Sequence, residues 1–598
     1  MAPATVRRRI EVCNGGLPVT RRPVLLNLLA WLFLAAACGP GLPAASNPSG
    51  AESPAIDAVP DRTLVVAVRN EPSTIAAVAP AGGGAASAFN VRPFNAYLEL
   101  IDERGQPRPY LAEGLPELNT ESWQVFPDGR METRYQLKSN LSWHDGAPLD
   151  AADFVFAWRV YSVPELGVAS TLPVSLMEGL SAPDSRSLVI RWRRLYPNAG
   201  VLPIGPVQPG LPALPRHLLE ARFNEAQWDA FANHPFWTRE FVGLGPYRLE
   251  QWEPGSYLEG VAFSGHVLGR PRIGRYRVQF IGDSNTALAN LRAGAVQMAA
   301  DNALGFQQWN ELKREWAPGN AGNMLRSAGS WRAIWPQFRA EYANPSSILD
   351  LRVRKALAHS TDRQGINETI WDGEGVMLDS GIAVPGADSF PVIDGAVIKY
   401  PYDLPSAERL MNEASYLKGS DGLLVHPTLG RFVGELKSTS GGDAETERSV
   451  LANGWRRAGF EMQEAPVSAT ESRDPQARSI FQTMFVSTAN LFEINLIISF
   501  TTQQIARPET RWLGDNRGGW SNVAFDRLAD AFNETLEANE RMQQRIRMAR
   551  ILSEELPAIP LYLSFSPIPF ISALRGPVQV SLATTGGVSW NLYEWEMR

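Results

Sequence analysis

The residue of this chain most clearly placed to do chemistry is one thiol. Cys38 closes the run Leu32-Phe33-Leu34-Ala35-Ala36-Ala37-Cys38-Gly39, and the apolar body from Pro23 to Ala37 follows a head of Arg7, Arg8, Arg9, Arg21 and Arg22. A basic head, an apolar body too short to span a bilayer and small residues before a cysteine read as a lipoprotein signal. The chemistry expected is cleavage before Cys38 and lipid attachment at its sulfur, with residues 1–37 removed. One departure stands out: such signals usually carry Leu three residues before the cysteine, where this chain has Ala35, with Leu34 one place earlier. An ordinary secretory signal or a short membrane anchor is the alternative reading.

Other reactive constellations are missing from the sequence. His144, His217, His234, His266, His359 and His426 are scattered singly, with no pair at helical spacing, so no metal site is expected. No Gly-x-Ser-x-Gly elbow occurs and no lysine follows a glycine, which removes the nucleophile elbow and the P-loop. Gly82-Gly83-Gly84 reads as a loop rather than a phosphate cradle. No catalytic residue and no cofactor are expected, although carboxylate pairs assembled only by folding stay open.

The elements that must position any site are extensive. With 598 residues, 44% apolar and 10% aromatic, the chain can bury a core of two or three domains. Of the two cysteines, Cys13 lies in the removed segment, so no internal disulfide can form. Five Arg and one Glu in residues 1–37 are a surplus of four positive charges, which takes the remainder of the chain from −7 to −11. That acidity argues against nucleic acid and anionic membrane surfaces as partners. After Cys38 no apolar run approaches the ~20 residues of a spanning helix. Residues 38–60 are rich in Pro, Gly, Ala and Ser and read as a flexible linker.

Beyond the linker, Thr63 to Val68 suits a buried strand. Trp123 to Phe126, a Pro127-Asp128-Gly129 turn and alternation at Met131, Thr133, Tyr135 and Leu137 predict a hairpin. Tyr276, Val278 and Phe280, a helix capped by Ser284 or Asn285 and stopped at Gly294, and Val296 to Ala300 predict a βαβ unit. Helical spacing recurs at Val353, Ala356 and Leu357 after Asp350, at Ala407, Leu410 and Met411, at Phe525, Leu528, Ala529 and Phe532, and at Met542, Ile546 and Ala549. Strands and helices mix throughout, so the class is α/β.

Trp143-His144-Asp145-Gly146-Ala147-Pro148-Leu149-Asp150 through Trp158 resembles the signature of the peptide/nickel-type (family 5) solute-binding proteins of ABC importers. By physical reading it is a turn at Asp145-Gly146, a helix capped by Asp150 and a buried face at Phe154 and Trp158. Gly105 to Glu113, Val242 to Leu249, Leu351 to Ala358 with Asp362-Arg363, Gly519 to Asp526 and Ile559 to Tyr562 resemble the family in the same order.

The resemblance implies a two-lobed periplasmic-binding-protein-like α/β fold with an inserted domain and a hinge. One lobe is expected from residues 61–102, 241–325 and 558–598, the insertion at 103–240 and the other lobe at 326–557. It also implies a lipid-anchored extracytoplasmic monomer that delivers a solute, a peptide first, to an ABC permease and ATPase. Candidate ligand-binding residues are Glu71, Asp301, Asn302, Trp331, Trp335, Phe500 and Thr501. A solvated loop or cap is the plain alternative for the first three, and core packing for the tryptophans. Oligopeptide binders carry an acidic segment in the second lobe, whereas Ile497 to Arg507 here has no carboxylate. That favours an oligosaccharide, a blocked peptide or another neutral solute as the second reading. An exported hydrolase, and a sensor that has lost its transporter, are the rivals.

Overall fold

Thr63–Val68, apolar on both faces, forms a strand inside a sheet because each of its neighbours can cover it. It runs parallel to Arg275–Phe280 on one side (Val66 opposite Val278) and to Met298–Ala299 on the other. The computed structural model describes residues 62–80, 88–202, 210–439, 443–468, 470–471, 474–489, 497–583 and 587–598. The signal, Cys38, the linker and Gly82-Gly83-Gly84 lie outside the described residues.

The expected βαβ unit is present as Arg275–Phe280, the helix Ser284–Arg292 and Met298–Ala299, with Thr63–Val68 seated between its strands. Its cap differs from the expected one. Asp283, rather than Ser284 or Asn285, accepts from the Thr286 N–H and Oγ1–H, both at 2.8 Å, because a carboxylate one residue earlier reaches both donors.

The main sheet has eleven strands among the described residues. Its order is Glu461–Val467, Val433–Thr439, Met484–Ala489, Gly322–Pro336, Ile559–Ile571, Met298–Ala299, Thr63–Val68, Arg275–Phe280, Tyr257–Ala262 and Tyr247–Glu253, with Val376–Met377 also on Ile559–Ile571. The two long strands, Gly322–Pro336 and Ile559–Ile571, form an antiparallel ribbon through its middle. On one side of the ribbon the cores gather around Val66, Leu258, Tyr276 and Leu312. On the other, Leu436, Trp455 and Phe460 fill one face and Trp331, Trp335 and Phe525 the opposite face.

A separate antiparallel sheet joins Trp123–Val125, Met131–Gln136, Ser187–Trp192 and Met177–Ser181. It contains the expected hairpin, with Gly129 at φ +82° in its turn. The helix Ala151–Tyr161 is capped reciprocally by Asp150 and Asp153, and it buries Phe154 fully and Trp158 in part.

His144 joins this region to the main sheet. Its backbone N–H donates to Gly243 O at 3.0 Å, its Nδ1 accepts from the Gly243 N–H at 3.2 Å and its Nε2 bonds Gly245 O at 3.0 Å. Nδ1 is therefore bare, Nε2 carries the hydrogen and only the neutral ring fits. Glycine is required at both partners, since a Cβ would stand 2.0 Å from Phe94 O at position 243 and 2.4 Å from Asn95 N at 245. His266 is fixed likewise, with Nδ1 on Gly269 O and Nε2 on the Tyr110 hydroxyl, both at 2.8 Å. Burial pushes both imidazoles down to about 4. Among the described residues no helix is long and apolar enough to cross a membrane.

A pH dependence follows. Between pH ~6.5 and about 4 the unfolded chain binds protons that the folded one refuses, so stability falls as pH falls through that window, by at most ~3 kcal/mol per histidine. Urea midpoints measured across this range should show the loss, and His144→Gln should flatten the dependence by about one proton. An unchanged slope in the variant would refute the neutral clasp.

Candidate functional site

The ribbon's register shifts between Ala328 and Trp331 and again between Arg332 and Ala333, and the first of these breaks lies near its middle. Gly329 sits there because a Cβ would lie 2.5 Å from Ser564 Oγ and 2.8 Å from Ser564 O. Ser330 N–H donates to Ser564 Oγ at 2.8 Å, and that hydroxyl donates to Ser330 O at 2.9 Å. A bulge of this kind bends a strand pair and leaves backbone polar groups outside the ladder. Ser327 lies opposite Ser566 one step away, and the Ser566 hydroxyl accepts from the Asn302 N–H at 3.1 Å. Serine hydroxyls thus line the point where the two halves of the sheet meet.

The predicted residues fall in distinct settings. Asp301 and Asn302 form the expected turn after Met298–Ala299, both left-handed (φ 49° and 59°), which short polar side chains tolerate. Asn302 O accepts from Arg69 at 3.4 Å. Glu71 is exposed, but both its oxygens are engaged: one accepts from Trp252 Nε1 at 2.7 Å and the other from the Gly255 N–H at 2.8 Å. It closes the Tyr247–Glu253 hairpin.

Trp331, Trp335 and Phe500 come together, but inside the core, each at most 2% exposed. Trp335 stacks on Phe500 at 5.4 Å, and Trp331 meets both rings edge-on at 5.9 and 6.0 Å. Neither indole N–H has a partner among the described residues. The Thr501 hydroxyl donates to Ile498 O at 2.8 Å within its own turn.

A buried polar centre beside the ribbon is one that sequence reasoning missed. Arg332 pairs through two nitrogens with Glu447 on the helix Asp443–Ala458, and the Tyr562 hydroxyl donates to Glu447 Oε1 at 2.8 Å. Burial works against the Arg332 charge, yet Glu447 more than offsets it and the guanidinium pKa is raised. Burial, then Glu447, also raises Asp443. Both ribbon strands and the helix are tied at one carboxylate. The available signal was an arginine inside the otherwise apolar run Trp331-Arg332-Ala333-Ile334-Trp335, which demands a buried anion.

Comparison with known proteins places the geometry. The sequence profile of the bacterial extracellular solute-binding proteins, family 5, matches residues 115–491. A putative ABC transporter peptide-binding protein of Brucella ovis is 23% identical over 304 residues, covering 50% of this chain and 51% of that protein. The chain therefore spans about half the length of this curated relative. Among solved structures, NikZ of Campylobacter jejuni in complex with Ni(L-His) matches at TM-score 0.69 and 21% identity, covering 90% of this chain and 100% of that one. The oligopeptide-binding protein AppA of Bacillus subtilis, in complex with a nonapeptide, matches at TM-score 0.65 and 20% identity, covering 90% and 99%. The fold is that of these two-lobed binding proteins.

The buried centre makes a stability prediction. Glu447→Ala strands a buried guanidinium and should lower unfolding free energy by ~3–5 kcal/mol. The triple change Arg332→Met, Glu447→Leu and Tyr562→Phe removes all three polar groups and should recover most of that loss. Denaturant titration of both variants checks this, and a triple variant no better than Glu447→Ala would refute it.

Proposed function

The chain belongs to the bacterial extracellular solute-binding proteins of family 5, and from that premise we propose that it is a lipid-anchored receptor delivering a solute, a peptide first, to the permease and ATPase of an ABC importer. Proteins of this family are transport receptors rather than enzymes. The observation that carries the reading is the ribbon: two strands shared by both halves of the sheet, with two register shifts where the cores change over. Such a joint lets the halves swing while each core stays intact.

In this reading residues 61–102, 241–325 and 558–598 make one lobe, 326–557 the other, and 103–240 the insertion. The protein acts as a monomer outside the cytoplasmic membrane, held through lipid on Cys38. Closure over the solute selects the closed population by differential affinity. Peptide leads because the Brucella ovis relative is described as peptide-binding and AppA holds a nonapeptide. A neutral solute such as an oligosaccharide is the second reading. Glu71 spends both oxygens within its own lobe, and Ile497 to Arg507 offers no carboxylate for an amino terminus.

Three experiments test these statements. Alanine peptides of three to nine residues, free and amino-acetylated, should raise the melting temperature, with ~2.7 kcal/mol of stabilisation at a hundredfold excess over Kd. Small-angle scattering should show compaction at saturation, and unchanged curves would sink closure. A preference for the acetylated series would move the assignment toward neutral ligands. Cys38→Ala should abolish lipid modification and membrane retention; a wild-type chain without diacylglycerol at Cys38 would remove the anchor.

A further inference from the structure

The helix Phe306–Trp316 is rooted in the first half of the sheet, where Leu312 and Trp316 join the core around Ala67. The helix Arg363–Trp371 is rooted in the second, where Ile366, Ile370 and Trp371 join the core around Leu436 and Trp455. The two helices meet beside the ribbon. Phe306 packs against the second core and meets the Trp371 ring edge-on at 5.2 Å. Just beyond Trp371, two carboxylates face cations of the first half: Lys313 pairs with Glu374, and Arg314 lies 4.0 Å from Asp372. Arg326, on the ribbon itself, also pairs with the Glu374 carboxylate and donates to Glu374 O at 3.1 Å, while its guanidinium lies over the Phe565 ring at 4.7 Å and the Trp309 ring at 5.4 Å.

The acidic turn is held firmly to its own half. Asp372 and Gly373 are both left-handed (φ 50° and 78°), which ends the helix and reverses the chain. Buried Asn367 accepts from the Gly375 N–H at 2.7 Å and donates to Gly373 O at 3.3 Å, and the Glu374 N–H donates to Trp371 O at 2.8 Å. Val376–Met377 then pairs with Leu563 and Tyr562 of the ribbon. Glu374 is therefore presented to Lys313 and Arg326 from a fixed place.

The opposite face of the sheet has cross-contacts of its own. Arg194, from the region of the separate antiparallel sheet, donates to Glu534 at 3.1 Å, and Leu536 packs against the core around Val66 and Tyr276. The Ser581 hydroxyl donates to Gly386 O at 2.7 Å. With contacts on both faces, a swing about the ribbon in either direction must break one set, so the arrangement described is a closed one.

We propose that Glu374, gripped by Lys313 and Arg326, is a charge clasp between the lobes that holds the receptor closed and thereby sets its affinity for solute. None of the three is a candidate ligand-binding residue. The proposal rests on the two-lobed receptor reading and deepens it, because the apparent Kd scales inversely with the fraction of molecules in the binding-competent state. Ion pairs open to water are individually weak and are screened as the Debye length falls from about 10 Å at 0.1 M salt to about 3 Å at 1 M. A clasp of this kind makes closure graded and responsive to the ionic strength of the surroundings.

The test uses the whole chain with Cys13→Ala and Cys38→Ala, spin-labelled at Gln307→Cys and Gln364→Cys, which are exposed positions on the two helices. Distances are read by pulsed electron spin resonance without solute. In 0.05 M sodium chloride the shorter distance should dominate; 1 M sodium chloride or Glu374→Gln should raise the longer-distance fraction at least threefold, and the variant should lose the salt response. Lys313→Gln, at an exposed position, should shift the distances the same way and serves if circular dichroism shows Glu374→Gln to be unfolded. Arg292→Gln, which removes ion pairs to Glu311 and Glu315 within the first half, should change nothing. Identical distances in wild type, Glu374→Gln and Lys313→Gln at both salt concentrations, or an equal shift in Arg292→Gln, overturn the clasp. Distances that respond to salt and to the variants but not to saturating tetra-alanine support the clasp and remove the peptide reading instead.

Discussion

The pairing of Gly322–Pro336 with Ile559–Ile571 is the constraint on which the rest of the molecule depends. From Gly322 opposite Ile571 to Ile334 opposite Ile559 the two strands stay hydrogen-bonded while the cores beside them change. A slip of one residue would turn every side chain to the opposite face. Gly322 guards the register at one end, where a Cβ would meet the Trp316 ring at 2.2 Å. Glu447 guards it at the other by binding Arg332 on one strand and Tyr562 on its partner. Of the ribbon's two irregularities, the one at Gly329 and Ser330 is satisfied by one hydroxyl, Ser564, which acts as acceptor and donor at once.

The buried polar groups handle charge in three different ways. His144 is held neutral by one bare and one protonated nitrogen. Glu447 is paired directly with the Arg332 guanidinium. Dehydration pushes the buried Glu99 up to about 8 against the opposing pull of backbone N–H groups, so its carboxyl is mostly protonated at neutral pH. Each choice removes an isolated charge from the core, where it would be most unfavourable.

Much of the fold was legible because its signals are local. The hairpin at Gly129 and the caps at Asp150 and Asp350 depend on neighbours a few residues away. The segments that carry the family resemblance prove to hold the frame: His144 bonds Gly243 and Gly245, Arg354 bonds the Ile348 and Leu349 carbonyls, and Trp520 and Asn522 clasp Glu555. The candidate site was less legible because its settings depend on distant partners. Glu71 is engaged by residues more than 180 positions away, and Arg332 meets Glu447 across 115. An aromatic pair at Trp331 and Trp335 has the same appearance in sequence whether it lines a cleft or, as here, packs against Phe500 in a core.

The position of Ile559–Ile571 has a consequence for how the molecule comes into being. A strand near the carboxyl terminus of the chain lies at the centre of the sheet, between Gly322–Pro336 and Met298–Ala299. During vectorial synthesis the earlier strands Met298–Ala299 and Gly322–Pro336 must wait with an open edge until Ile571 has emerged. Such an unpaired edge is a template for aggregation and a binding site for holdase chaperones. The chain should therefore behave as one late-closing unit in biogenesis, and nonsense truncation before Ile559 would remove a central strand of the sheet rather than an edge.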